Sequence, residues 1–370
     1  MLRTKHLPTI PFLALLLLCS ISSSAQETFQ YGGVERSYYL DVPENLEPGS
    51  PLVFALHGYT SNAWNIRFYS GWTEVSESEG IVVCYPDGTD DFIGSPHWNA
   101  NLGISNTDDH GFLVALAEYL QETYELSPDC TYACGMSNGG FMSYSLACEE
   151  FETFKAIGSV TGAMSSYDFD NCDPSTVVPV IHLHGTSDFV VSYDNGVGDS
   201  NWGMASVPEI MNLWTDLMGT TQVSEEQLPN EELVDLTSVD FIRHYGSPSG
   251  QEFHHYRVNG GGHDWFGAWG SPDVESTQVI WEFFQSQCAG DFTSVEDLNS
   301  EDKKVLAFWD GETFGLFEDA TVEAYDFQGK LLWIHEFAPK HSRWASSSIG
   351  GASILLLRTP DGIQSTVRIR

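Results

Sequence analysis

The chain has 370 residues, 42% of them hydrophobic and 13% aromatic, enough for one large core with a smaller unit besides. It carries 52 acidic against 15 basic residues, a formal charge of −37. That balance excludes nucleic acid as a partner, since phosphates need a basic footprint, and it argues equally against anionic lipid surfaces.

Residues 1–25 read as an export leader. Arg3, Lys5 and His6 give a charged start, Leu13 to Leu18 an apolar core, and Ser23-Ser24-Ala25 a small-residue cleavage site before Gln26. Cys19 follows four leucines, but Leu18 stands where a lipoprotein signal requires a small residue, so plain cleavage is expected. No other run is long enough to span a membrane. The exported chain opens with a hairpin, Thr28 to Tyr31 and Val34 to Val42 around Gly32-Gly33. A short apolar strand, Pro51 to Leu56, ends in HGYTSNA, His57 to Ala63. Phe68 to Glu79 reads as a helix stopped by Gly80, and Ile81 to Tyr85 as a strand closed by Pro86-Asp87-Gly88. Residues 89–107 are a polar loop holding Trp98 and Asn99. Asp108 and Asp109 then precede an amphipathic helix with Phe112, Leu113, Leu116, Ala117 and Leu120 on one face. Helix capping explains the pair; a two-carboxylate metal site lacks any His or Cys at ligand spacing.

Next comes Tyr132-Ala133-Cys134, then GMSNGG, Gly135 to Gly140, then a helix from Phe141 to Cys148. Strand, G-x-S-x-G and helix make the context of a nucleophile elbow, in which a strained Ser137 stands clear of the sheet. Glycines are needed because neighbours approach within van der Waals reach. The amide of Asn138, at the start of the helix, points where an oxyanion would form. The second donor comes from the loop after the earlier strand, where Tyr59 and Thr60 are equal candidates.

Phe154 to Val160 and Val178 to Leu183 read as further strands. The latter runs into HGTSD and places Asp188 just past its end. His182 and His184, two apart on one face, are read as packing and hydrogen bonding rather than metal ligation. A helix spans Pro208 to Met218, and an acidic region Glu225 to Asp240. After Tyr256-Arg257-Val258 comes GGGHDW, Gly260 to Trp265, with His263 on a loop loosened by three glycines. A last helix runs from Pro272 to Gln287. Ser137, Asp188 and His263 therefore follow the chain order Ser, acid, His of an α/β-hydrolase fold. Their types suit the chemistry. A Ser hydroxyl needs a base near neutrality, and the acid fixes the His tautomer and stabilises the imidazolium. Trp98, Trp265 and Phe266 are candidates to line the cleft against a flat acyl group. No metal or organic cofactor is called for. Strands alternating with helices predict a mostly parallel sheet.

Residues 291–300 read as a linker, and residues 301–370 as a small all-β sandwich of short antiparallel runs without a catalytic cluster. The first domain thus covers 26–290. Seven cysteines, six of them beyond the export leader, suggest disulfides. Cys84 and Cys134 lie in apolar strands and read as buried thiols. Cys148 and Cys172 are the best bridge candidates, and the partners of Cys130 and Cys288 stay open.

Residues 28–288 resemble the secreted polyhydroxybutyrate depolymerase and feruloyl or acetylxylan esterase family of α/β hydrolases. The resemblance is carried by LHGYTSNA at 56–63, YPDG at 85–88, WNA at 98–100, TDDHGFL at 107–113, GMSNGG at 135–140, LACE at 146–149, HLHGTSD at 182–188 and GGGHDWFG at 260–267. It implies the triad Ser137, Asp188 and His263, a Cys148–Cys172 bridge, and a polymeric ester substrate. That substrate would be a feruloyl- or acetyl-bearing polysaccharide or, alternatively, a hydroxyalkanoate polyester. His110 and Phe266 depart from the family pattern. The tail resembles the C-terminal sorting domain of type IX secretion, on VEAYDFQGKLL at 322–332 and the closing Gly350 to Arg370. This implies the type IX machinery as a partner and a cell-surface or extracellular destination. A non-catalytic carbohydrate-binding protein on the same fold is the remaining alternative, and it would predict a broken triad.

Overall fold

The structure, a computed structural model, describes residues 25–194, 203–230 and 234–288, and the backbone of short strands between Ala307 and Arg368. The expected leader as far as Ser24, with Cys19, and the expected linker at 291–300 lie outside the described residues. The chain divides into two compact units, Met1–Gln287 and Cys288–Arg370.

In the first unit the elements run β1 (Glu27–Tyr31), β2 (Val34–Asp41), β3 (Leu52–Leu56), α1 (Ala63–Ser70), α2 (Trp72–Glu79), β4 (Val82–Pro86), β5 (Thr89–Asp90), β6 (Pro96–His97), α3 (Asp109–Tyr124), β7 (Thr131–Met136), α4 (Asn138–Glu149), β8 (Ile157–Val160), α5 (Ser166–Asn171), β9 (Val180–Gly185), α6 (Val207–Met218), β10 (Gln222–Gln227), β11 (Ser238–Tyr245), β12 (Phe253–Asn259) and α7 (Ser276–Gln287). Ten strands form one sheet in the order β1-β2-β4-β3-β7-β8-β9-β12-β11-β10. Its centre, from β4 to β12, is parallel. Antiparallel strands close both edges.

The central strands are apolar on both faces because both are covered. Every residue of β3, β4, β8 and β9 is buried. On one face Leu52, Phe54 and Leu56 of β3 join Phe112 and Leu116 of α3, Met142 and Leu146 of α4, and Ile210 and Trp214 of α6. On the other, Tyr132 of β7 stacks on Phe284 of α7 at 4.7 Å between ring centroids. The strand order turns back at β3, which lies between β4 and β7. In an open α/β sheet the crevice at such a switch point, outside the carboxyl ends of the strands, is where ligands bind. Here the loop after β3 delivers Tyr59 to that crevice and the turn after β7 delivers Ser137.

Three local readings change. The single helix predicted from Phe68 to Glu79 is two helices, because Gly71 takes φ 78° between α1 and α2 and ends the first. Asp108 does cap α3 by accepting from the Gly111 amide at 2.9 Å, while Asp109 turns inward to a buried ion pair with Arg36 at 2.7 Å. Arg36 is 73 residues distant in sequence, so no local pattern announces the pair. In α6, Ser206 and Glu209 form a capping box that sets the helix start.

Cys148 and Cys172 form a disulfide, Cys84 and Cys134 are buried free thiols, and Cys130 and Cys288 are also disulfide-bonded. The second unit holds β13 (Ala307–Trp309), β14 (Thr313–Leu316), β15 (Ala320–Tyr325), β16 (Leu331–Ala338), β17 (Arg343–Ala345), β18 (Ile354–Arg358) and β19 (Gln364–Arg368). They pair antiparallel in two sheets, β13-β14-β17 and β16-β15-β18-β19.

Candidate active site

The turn between β7 and α4 holds Ser137 at φ 54° and ψ −119°, a backbone state that costs a non-glycine residue energy and persists only where the surroundings enforce it. The surroundings do so here. The Ser137 amide donates to the Val160 carbonyl at 2.9 Å, and its carbonyl accepts from Phe141 at 3.0 Å. A Cβ on Gly139 would collide with the Leu56 carbonyl, and one on Gly135 would lie 2.5 Å from the Gly139 carbonyl carbon. The glycine spacing of the motif is thus the imprint of β3, β7 and α4 crossing at van der Waals distance.

Asp188 lies just beyond β9 with its side chain fully enclosed. Its Oδ1 accepts from the Val190 and Val191 amides at 2.8 and 2.9 Å. Its Oδ2 accepts from His263 Nδ1 at 2.7 Å. Burial alone would raise this carboxyl, yet hydrogen bonds from His184 and His263 hold it well below the usual carboxylate range. A carboxylate can only accept, so His263 carries its proton on Nδ1 and leaves Nε2 as the basic nitrogen. The His263 loop is stitched to the Asp188 loop rather than loose. Thr186 and Ser187 donate to Val258 and Gly261 carbonyls, each at 2.9 Å. Any side chain on Gly185 would run into the Gly261 backbone. Gly261 serves this close approach, while Gly260, at φ 76°, uses the backbone freedom the sequence suggested.

Ser137, Asn138 and Tyr59 line a cavity of about 100 Å³ together with Leu102, Ile104, Phe141, Val190, Val191 and Met204. Val190 and Val191 connect this cavity to the acid, since their amides bind the Asp188 carboxylate. The lining is almost wholly apolar apart from the serine end. Of the two loop amides considered as oxyanion donors, that of Thr60 is committed to the Pro96 carbonyl at 2.8 Å, and Thr60 is not among the lining residues. Tyr59 holds its place through a hydroxyl bond to Asp91 at 2.7 Å.

Trp98, Trp265 and Phe266 do not line the cavity; this corrects the sequence reading. Trp98 and Phe266 are completely enclosed and Trp265 is 1% exposed. Trp98 is a strut. Its indole donates to the His57 carbonyl at 3.0 Å, and its main chain is clasped by the Asn138 side chain, which accepts from its amide at 2.6 Å and donates to its carbonyl at 3.0 Å. Trp265 donates to Thr277 and packs on Tyr69, and Phe266 packs where Gly261 lacks a side chain. The aliphatic lining was missed because aliphatic residues carry no chemical flag. Only Phe189-Val190-Val191, apolar and next to the acid, offered a signal. His57 is a buried brace, donating from Nδ1 to the Gly58 carbonyl and accepting at Nε2 from the Gly88 amide. Among the described residues no three His, Cys, Asp or Glu side chains are grouped to hold a metal, and no helix is long and apolar enough to cross a membrane.

No protein-family model matches the chain. It is 25% identical over 251 residues to the bifunctional acetylxylan esterase/xylanase XynS20E of Neocallimastix patriciarum, a match covering 68% of this chain and 33% of that protein. It is 29% identical over 174 residues to feruloyl esterase C of Emericella nidulans, covering 45% of this chain and 60% of that protein. The matches thus span less than two thirds of either relative's length. Among solved structures, the acetyl xylan esterase from Aspergillus awamori superposes with a TM-score of 0.52 at 14% identity, covering 70% of this chain and 99% of that one. This likeness, with the sheet order above, gives the first unit the α/β-hydrolase fold.

Proposed function

We propose that this chain is an exported serine carboxylic ester hydrolase acting on feruloyl or acetyl esters of polysaccharides. One observation carries the reading: a buried carboxylate 2.7 Å from His263 Nδ1, on a turn whose valines line the same cavity as the strained Ser137. In the proposed reaction Ser137 Oγ attacks the ester carbonyl carbon while its proton passes to His263 Nε2. The tetrahedral oxyanion is held by the Asn138 amide, at the first turn of α4, and the Tyr59 amide. The C–O bond to the alcohol then breaks, and the alcohol leaves with the proton from His263. Water attacks the resulting acyl-enzyme with the same imidazole as base, releasing the acid and free Ser137. Asp188 stays ionised throughout. Its depressed proton affinity keeps it negative against the imidazolium.

The substrate class rests on the apolar acyl-side lining and on the names of the similar proteins. Leu102, Ile104, Phe141, Val190, Val191 and Met204 offer van der Waals contact to an acyl body and few polar partners. Residues 1–25 and 301–370 serve export in this reading. The test is a panel of methyl ferulate, acetylated xylan, short aryl esters and hydroxybutyrate polymer, run on the purified enzyme beside Ser137→Ala. Methyl ferulate or acetylated xylan should lead, and the variant should lose about 10⁴-fold or more in kcat. Clearing of the polymer alone would move the substrate to a polyester. Undiminished turnover by Ser137→Ala would end the mechanism.

A further inference from the structure

His182 and His184 alternate onto one face of β9 and are both completely buried. A buried imidazole is tolerated only where its ring nitrogens are paired. Here the pairing leaves one arrangement of protons. His184 Nε2 lies 2.9 Å from the Val191 carbonyl oxygen and 3.4 Å from Asp188 Oδ2. Both are acceptors only, so Nε2 carries the hydrogen. With the ring neutral, His184 Nδ1 accepts from His182 Nε2 at 3.1 Å, and His182 Nδ1 in turn accepts from the Tyr144 hydroxyl at 2.8 Å. His255, the neighbour across the sheet, donates from Nδ1 to the His182 carbonyl at 3.0 Å and accepts from Tyr193 at 2.8 Å. Every donor in the Tyr144–His182–His184 chain points the same way, toward the turn that carries Asp188.

That turn is only partly held by packing. Phe189 is 97% exposed and Val190 56% exposed, while the Val191 side chain is buried in the core. Besides that packing, the Val191 main chain is bonded on both sides: its amide donates to Asp188 Oδ1, and its carbonyl accepts from His184. Val190 and Val191 are also cavity wall.

We propose that His184 is a positioning residue that locks the Asp188–Val191 turn through its Nε2–H, setting at once the carboxylate for His263 and the Val190–Val191 wall of the acyl cavity. This rests on the Ser137, His263 and Asp188 reading of the site. The groups facing His184 are His182 on its own strand, Tyr193 and Asp188 on the following loop, and His255 on β12. None of them can donate to Val191 in its place, because His182 and His255 are engaged elsewhere, Tyr193 donates to His255, and Asp188 accepts.

Two amide side chains separate the donor's position from mere polarity and size. The Gln amide nitrogen reaches the place of imidazole Nε2, whereas the Asn nitrogen reaches that of Nδ1. His184→Gln and His184→Asn are compared with the unaltered enzyme and Ser137→Ala, using an acetyl and a bulky aryl-acyl ester. Rates are expressed per active site titrated with a fluorophosphonate. His184→Asn should lose about tenfold to a hundredfold in kcat and should raise KM for the bulky ester more than for the acetyl ester. His184→Gln should recover most of both. Loss of folded protein alone would leave the per-site kcat and the KM ratio unmoved. Equal behaviour of the two variants, whether both active or both impaired, overturns the proposal, as does a Gln variant that cannot be recovered folded. Ser137→Ala separates the two layers of argument: if it keeps turnover, the catalytic reading falls, and if it loses turnover while Asn and Gln behave alike, only the role of His184 falls.

Discussion

Ser137 is a strained residue among glycines, and strain of this kind marks a site whose geometry is imposed by its neighbours. The imposition is steric and local, which is why it was readable. Gly135, Gly139 and Gly140 are each blocked from bearing a side chain by atoms of β3, β7, β8 or the turn after it. Gly139→Ala should therefore force α4 away from the end of β3, costing about 3 kcal/mol of stability and lowering kcat with the displaced Asn138 amide. Urea unfolding and steady-state kinetics check both parts, and an alanine variant as stable as the parent would show that the crossing is less tight than described. The aromatic residues were harder to read. Trp98 and Trp265 look alike in sequence to residues that line a cleft, but their N–H groups find partners inside the protein at His57 and Thr277, and tertiary context alone decides that.

At the scale of elements, β9 and β12 carry neighbouring imidazoles into the interior. Burial pushes His255 down from its ordinary 6.5 to about 3 and pushes His182 well below its usual range. The unfolded chain takes up a proton on His255 below about 6.5 that the folded chain refuses until about 3, so this group's contribution is complete above 6.5 and is lost as pH falls through that window. His255→Asn keeps the Nδ1-side donor to the His182 carbonyl and removes the titration. Between pH 6 and pH 4 its unfolding free energy should fall less steeply than that of the parent, by about 1 kcal/mol per pH unit. Parallel urea-derived curves would contradict the assignment. The central strands were legible from apolar runs and turns, as were α4 and α6; β10 and β11 were not, because β10 is exposed at every residue and reads only as part of an acidic stretch. The break at Gly71 was missed because two eight-residue helices share one periodic pattern. The Arg36–Asp109 pair was invisible because only the closed sheet brings β2 to α3.

The whole molecule is two compact units. The first holds the sheet, the cavity and the Asp188–His263 pair, and in the proposed reading it suffices for catalysis, while the second serves export. Removing residues 295–370 should leave ester turnover within about twofold, as expected when a separately folded unit is deleted, and should stop release from a host with type IX machinery. Unchanged release would refute the sorting role. A charge of −37 fits a well-solvated exported chain and an uncharged rather than anionic substrate. Catalysis in this reading depends on one nucleophile, Ser137. The most direct measurement is to treat the enzyme with an aryl fluorophosphonate, digest it and locate the adduct by mass spectrometry. One equivalent should be bound at Ser137, within the GMSNGG turn, with activity lost in proportion and labelling sharply slowed in His263→Ala. An adduct on another residue, or ester hydrolysis that survives full modification of Ser137, would contradict this reading.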